Sequence, residues 1–158
     1  MYKDTNCGEP REATVGSVIT VAGWVNRRRD HGNLIFIDLR DRTGLLQVVF
    51  NPEHDEKAHD LAQSLRSEWV VQVTGKIVSR LPGAENPDLP TGGIELSATD
   101  LVVLNQSLTP PFEISDDVEV DANTRLKYRF MDLRRPRMQE VLQLRHKVTH
   151  IMWDYLTE

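Results

Sequence analysis

From Leu34 to Arg40 apolar and polar positions alternate, with Ile35, Ile37 and Leu39 on one side and Phe36, Asp38 and Arg40 on the other. A period of two marks a strand with one buried face, so the aliphatic residues are predicted to point inward and Phe36 outward. Upstream, Val18 to Arg28 is rich in β-branched residues and reads as a first strand, with Gly23 expected to mark a bulge or coiling point. The charged stretch RRRDHGN is expected to be the turn that follows it. Asp41–Gly44 reads as a second turn, and in Leu45–Phe50 the residues Leu46, Val48 and Phe50 alternate with Leu45, Gln47 and Val49. Together these segments predict a three-stranded antiparallel meander.

The meander ends at Asn51-Pro52, and PEHDEKAHDLAQSLRS carries helix signals: Asn51 as cap, Pro52 in the first turn, and acidic residues towards the start. Glu68–Arg80 reads as a fourth strand, with Val71, Val73 and Ile77 set against Gln72, Thr74, Lys76 and Arg80. A loop holding Pro82, Gly83, Pro87, Pro90, Gly92 and Gly93 then leads to a fifth strand, Ile94 to Leu104. Three meander strands, a helix and two more strands is the order of the five-stranded Greek-key oligonucleotide-binding (OB) fold barrel. The predicted class is therefore all-β with a helical appendage. Residues 1–106 form the barrel, 107–122 are a hinge or linker, and 123–158 are helical. The linker assignment rests on Pro110-Pro111 and the acidic cluster Glu113, Asp116, Asp117, Glu119 and Asp121. In the last helix, expected from Pro136, the residues Met138, Val141, Leu142, Leu144, Val148, Ile151, Met152 and Tyr155 make an apolar stripe. A stripe left uncovered so near the end reads as a cut through a larger protein.

Composition narrows the function. At 158 residues and 39% hydrophobic, the chain suits one modest core and an appendage, with little room for a second full catalytic domain. Nineteen Lys and Arg against 24 Asp and Glu give a net charge of -5, so nucleic acid would have to be bound by a local patch rather than by bulk charge. Cys7 is the single cysteine, which excludes an intrachain disulfide and a cysteine-rich metal site and suits a reducing cytoplasm. His146 and His150, four positions apart on the last helix, suit a zinc pair or, more simply, a surface pair. No metal site is predicted. No segment approaches the roughly 20 apolar residues of a membrane span, so no membrane partner is expected.

The candidate chemistry is recognition. An outward Phe36 can stack on a base, Gln47 and Glu95 can hydrogen-bond base edges, and Arg29 and Arg80 can meet phosphate or a base. Each residue alone also suits a plainer role. Arg27, Arg28 and Arg29 would keep a turn solvated, and Phe36 would pack beneath a loop. Trp24, Trp69 and Trp153 are expected in or at the edge of the core.

GWVNRRRDHGNLIFIDLRDRTGLLQVVFNP, followed much later by TRLKYRFMDLRRP, closely resembles the N-terminal part of bacterial-type aspartyl-tRNA synthetases. These are class II ligases that carry a barrel ahead of the catalytic domain. The resemblance covers nearly the whole chain and implies that the barrel grips the tRNA anticodon loop. By it, Phe36 stacks on the central anticodon base, Gln47 reads that base, and Arg29 and Glu95 read its neighbours, with Arg80 and Asn86 as further binding positions. His31 and the Pro82-Gly83 context resemble the group that charges both aspartate and asparagine tRNAs, so His31 and Gly83 are expected to modulate specificity. The family uses ATP and magnesium through a catalytic domain and forms homodimers. Its class motifs are expected beyond Glu158, which implies no cofactor, no catalytic residue and no ligase activity for these residues alone. Two other readings stay open. One is a free-standing single-strand-binding barrel, the other a non-catalytic interaction protein.

Overall fold

The computed structural model of the chain describes residues 2–157. Five strands close into a barrel: β1 (Val18–His31), β2 (Leu34–Asp41), β3 (Gly44–Phe50), β4 (Val70–Ser79) and β5 (Ile94–Asn105), in the order β1-β2-β3-β5-β4. The first half of β1 pairs with β4 and its second half with β2, both antiparallel, while β3 meets β5 in parallel to complete the ring. Alternation along every strand fills the interior, where Val21, Val25, Ile37, Leu39, Leu46, Val48, Phe50, Val71, Val73, Ile77, Ile94 and Leu96 have essentially no exposed surface. Helix α1 (Glu56–Ser64) packs Ala58 and Ala62 onto this core, against β2, β3 and β5.

Local chemistry departs from the sequence reading in several places. Most of the stretch expected as turn, Arg27–His31, is strand. The β1–β2 loop is only Gly32-Asn33, with Gly32 in the left-handed region at φ 61°, as a two-residue hairpin requires. Gly23 is not the bulge; it is a point of close strand approach, where a Cβ would stand 2.4 Å from the carbonyl oxygen of Arg40. Asp55 rather than Asn51 caps α1, its Oδ1 accepting from the Ala58 N–H at 2.6 Å. Asn51 instead accepts from Glu53 N–H and forms the turn before the helix, which leaves Pro52 outside it. Strand β4 begins at Val70 and ends at Ser79, so Glu68 and Arg80 flank it.

Contacts divide the chain between Pro110 and Pro111. The second unit contains α2 (Ala122–Lys127), α3 (Arg129–Asp132) and α4 (Pro136–Thr157). Part of the stretch expected as linker belongs to it, because Phe112 and Ile114 are buried with Met131 in a small core flanked by Val120 and Tyr128. Asp121 caps α2 through Oδ2, which accepts from Asn123 and Thr124 N–H at 3.0 and 3.1 Å. Asp132 is fully buried and takes hydrogen bonds from Arg125, at 2.8 Å, and Arg129, with Arg135 nearby. These arginines, Arg125 first, hold its carboxyl below the ordinary range. On α4 the stripe from Val141 to Tyr155 is exposed, and so is Trp153, at 68%. Trp153 is thus a surface residue, contrary to its expected place near a core. Trp24 and Trp69 are partly buried.

Candidate nucleic-acid interface

One irregularity sets the direction of the arginines. Val21 and Val25 point into the barrel, and an unbroken strand would send Arg27 and Arg29 inward after them. The β1–β2 register slips between Val25 and Arg27, leaving Asn26 without a ladder partner. A bulge of this kind shifts the alternation by one residue. Beyond it Arg27 pairs with Asp38 and Arg29 with Phe36, so both arginines share the outer face of β2 with the half-buried ring. On the next strand Asp38 is opposite Gln47 and Phe36 opposite Val49. Across the parallel seam lies β5, with Glu95 near its start.

A chain of hydrogen bonds runs over this face. The Arg29 guanidinium donates through Nη2 to Asp38 Oδ1 at 2.7 Å and to Gln47 Oε1 at 3.1 Å, and Gln47 Nε2 donates to Glu95 Oε2 at 2.7 Å. The amide of Gln47 is therefore oriented from both ends, its oxygen towards a cation and its nitrogen towards a carboxylate. These neighbours cover it to 8% exposure even though it faces away from the core, while Arg29 keeps 43% of its side chain in solvent. Asp38 is outward in the alternation, which by itself suggests no role for it. Register would have found it, since it faces both Arg27 and Gln47.

The structure brings Arg29, Phe36, Gln47 and Glu95 together; the other expected residues lie differently. Arg80 is buried to 9% exposure and donates through Nε to Ile94 O at 3.0 Å and through Nη1 to Ala84 O, fastening the 81–93 loop to β5. Burial pulls its guanidinium below the ordinary value, and Glu95 and Asp38 work against that pull. It stays a cation, because arginine does not lose its proton in a protein. Asn86 folds the same loop, with its N–H on Gly92 O and its Oδ1 accepting from Asp88 N–H. His31 is exposed at the β1–β2 hairpin, and Gly83 is exposed in the loop at φ 83°. Arg28 turns the other way, donating to Asp30 and to the Gln63 carbonyl.

Charges on the face nearly cancel: Arg29 meets Asp38, Arg80 lies within the field of Glu95, and Arg27 remains over. Such a surface suits a ligand read by stacking and directed hydrogen bonds more than one held by charge. A cavity of about 240 Å³ lies beside Trp24, Asp41 and Val70, away from all the expected residues. Among the described residues no group of three or more His, Cys, Asp or Glu is placed to hold a metal ion, and His146 and His150 meet edge to face on α4 with His150 Nδ1 2.9 Å from Asp154. Burial, and after it the neighbouring Asp41, push the Cys7 thiol up to about 12, so it offers no nucleophile.

Residues 19–104 match the family model described as the OB-fold nucleic acid binding domain. The chain belongs to that family. Residues 121–158 of this OB-fold protein match a second model, tRNA synthetases class II (D, K and N). It is 54% identical to the aspartate–tRNA(Asp/Asn) ligase of Symbiobacterium thermophilum, over 100% of this chain and 27% of the ligase. To the corresponding ligase of Halothermothrix orenii it is also 54% identical, over 91% of this chain and 24% of the ligase. The chain thus spans about a quarter of the length of these curated relatives. In fold it is similar to the crystal structure of asparaginyl-tRNA synthetase from Pyrococcus horikoshii, with a TM-score of 0.83 at 24% identity over 99% of this chain and 36% of that one. The resemblance carried by the two long motifs therefore extends through the whole chain. No helix among the described residues is long and apolar enough to cross a membrane.

Proposed function

We propose that this OB-fold domain recognises the anticodon loop of the tRNA charged by an aspartate–tRNA ligase. The observation that carries the reading is the Phe36 ring set beside a glutamine amide held in one orientation by Arg29 and Glu95. A loop base stacked on Phe36 would place its edge over Gln47, whose two amide atoms offer one acceptor and one donor in a fixed sense. Arg29, half in solvent, is free to exchange Asp38 for a neighbouring base, and Glu95 can accept from a base amino group. Arg80 and Asn86 support the reading less directly, by shaping the loop that borders Glu95. In the complete ligase this step would deliver the tRNA to a homodimer's catalytic domain, where ATP and magnesium supply the activation of aspartate. No residue of this face is assigned to that chemistry.

Binding of an isolated anticodon stem-loop, followed by fluorescence anisotropy, tests this. The aspartate loop should bind well above a loop of unrelated sequence, and equal affinities would mark a sequence-tolerant single-strand binder instead. Arg29→Ala should lose about 1–3 kcal/mol on the aspartate loop and erase the penalty for changing the base it reads. If the slope of affinity against salt became shallower by about one charge instead, the contact would be to phosphate. We further propose that both aspartate and asparagine loops are accepted, in line with the names of the relatives and with His31 and Gly83 on exposed segments. Stem-loops differing only at the last anticodon base should then bind alike, and a large preference for the aspartate loop would overturn dual recognition.

A further inference from the structure

The bulge that turns the arginines outward is gripped by an ion pair that no recognition role yet explains. Arg40 lies on the outer face of β2, two residues beyond Asp38. Its Nη1 donates to Oδ1 of Asn26, the bulged residue, and its Nη2 donates to both carboxylate oxygens of Glu68 at 2.7 and 2.9 Å. The pair is shielded, with side-chain exposures of 14% and 6%. Glu68 stands at φ 66°, alone in positive φ among the described non-glycine residues. The same segment binds the last inward residue before the bulge: Glu68 N–H donates to Val25 O at 2.7 Å, and Val25 N–H donates to Trp69 O at 2.9 Å. Strand β1 is thus fixed by backbone on one side of the bulge and by a side-chain fork at the bulge itself.

Stability alone is a weak reason for this arrangement. Buried ion pairs commonly contribute no more than apolar residues of the same volume, and a non-glycine residue in the left-handed region is strained. Both costs are accepted where one backbone geometry must be selected over its neighbours. Here the neighbour is the regular strand, in which Arg27 and Arg29 would follow Val25 inward.

We propose that Arg40 and Glu68 are positioning residues for the recognition face, their ion pair holding the Asn26 bulge and with it the outward aim of Arg27 and Arg29. The inference rests on the proposed role of that face in reading a tRNA loop. It adds two residues that touch no base. Arginine is required for it, because one planar fork reaches Asn26 and Glu68 together, as lysine does not.

The test compares the whole chain with Glu68→Gln and Asn26→Ala. Three quantities are read: cross-strand NMR contacts of Arg27 with Asp38 and Arg29 with Phe36, the thermal midpoint, and affinity for the aspartate stem-loop and for a loop altered at the base assigned to Arg29. Glu68→Gln should weaken those contacts, reduce aspartate-loop affinity about tenfold and bring the two loops close to equal. Asn26→Ala, which leaves the ion pair in place, should shift contacts and discrimination the same way by a smaller factor with the midpoint unchanged. The proposal is overturned if both variants keep the contacts and discriminate like the wild type, or if Glu68→Gln lowers only the midpoint. Should the wild type itself show no preference for the aspartate loop, the functional reading fails, and the NMR contacts still decide whether the pair holds the bulge.

Discussion

Ile37→Ala should cost the barrel about 2–5 kcal/mol of folding stability, because it empties a site enclosed on every side. Ile37 is 1% exposed and central in β2, opposite Arg28 on β1 and Val48 on β3, within the same core as Leu39, Leu46 and Leu96. Strands paired on both sides hold the backbone in place, so the neighbours are poorly able to close over the gap, and the cost should fall in the upper part of that range. A denaturant midpoint measured on the variant and the parent reads it directly. The folded fraction should bind the stem-loop with near-parental affinity, since no atom of Ile37 reaches the outer face. A midpoint within experimental error of the parent would mean that this side of β2 is not the core.

Phe36→Ala, one residue earlier, should do the opposite. Losing a base–aromatic stack is expected to remove about 1–3 kcal/mol of stem-loop binding, while the midpoint moves far less than for Ile37→Ala because the ring is only half-buried. Its neighbours on the face, Arg29 and Gln47, keep their hydrogen bond to each other without it, so the deficit should appear on every loop sequence rather than as altered base preference. That separates the ring from the residues that read edges. If the variant unfolds and the affinity of its folded part is unchanged, the ring belongs to the interior and the face has no stacking platform.

The contrast between these neighbours is legible in the sequence, since Leu34–Arg40 alternates without interruption and one buried face fixes its register. The element order was legible for the same reason, each strand being set off by turn residues. What escaped was set by interactions distant in sequence. The bulge at Asn26 depends on Arg40 and Glu68, which lie 14 and 42 positions away from it, and without it three arginines after an inward valine read more naturally as a turn. For Arg80 the sequence offers a cation able to meet phosphate or a base, and nothing local reveals that its guanidinium is also held by the Ile94 and Ala84 carbonyls. Asn51 and Asp55 are both competent caps, and the choice between them depends on where α1 begins to pack. A large indole suggests a core position for Trp153, yet its side of α4 is exposed among the described residues.

The parallel meeting of β3 and β5 at Val48–Leu96 and Val49–Ser97 is expected to form late in folding. Arg29, Phe36 and Gln47 come from a meander whose strands pair across short stretches of chain, which closes cheaply and early. Glu95 reaches Gln47 across 48 positions, a long loop whose entropy must be overcome before any contact rewards it. A chain that has formed only its first three strands would therefore carry the ring, while Glu68, which aims Arg29, and Glu95, which holds the far end of the glutamine, are still to be brought in. If the face reads a loop as proposed, discrimination, as distinct from adhesion, is expected only once the β3–β5 seam has closed.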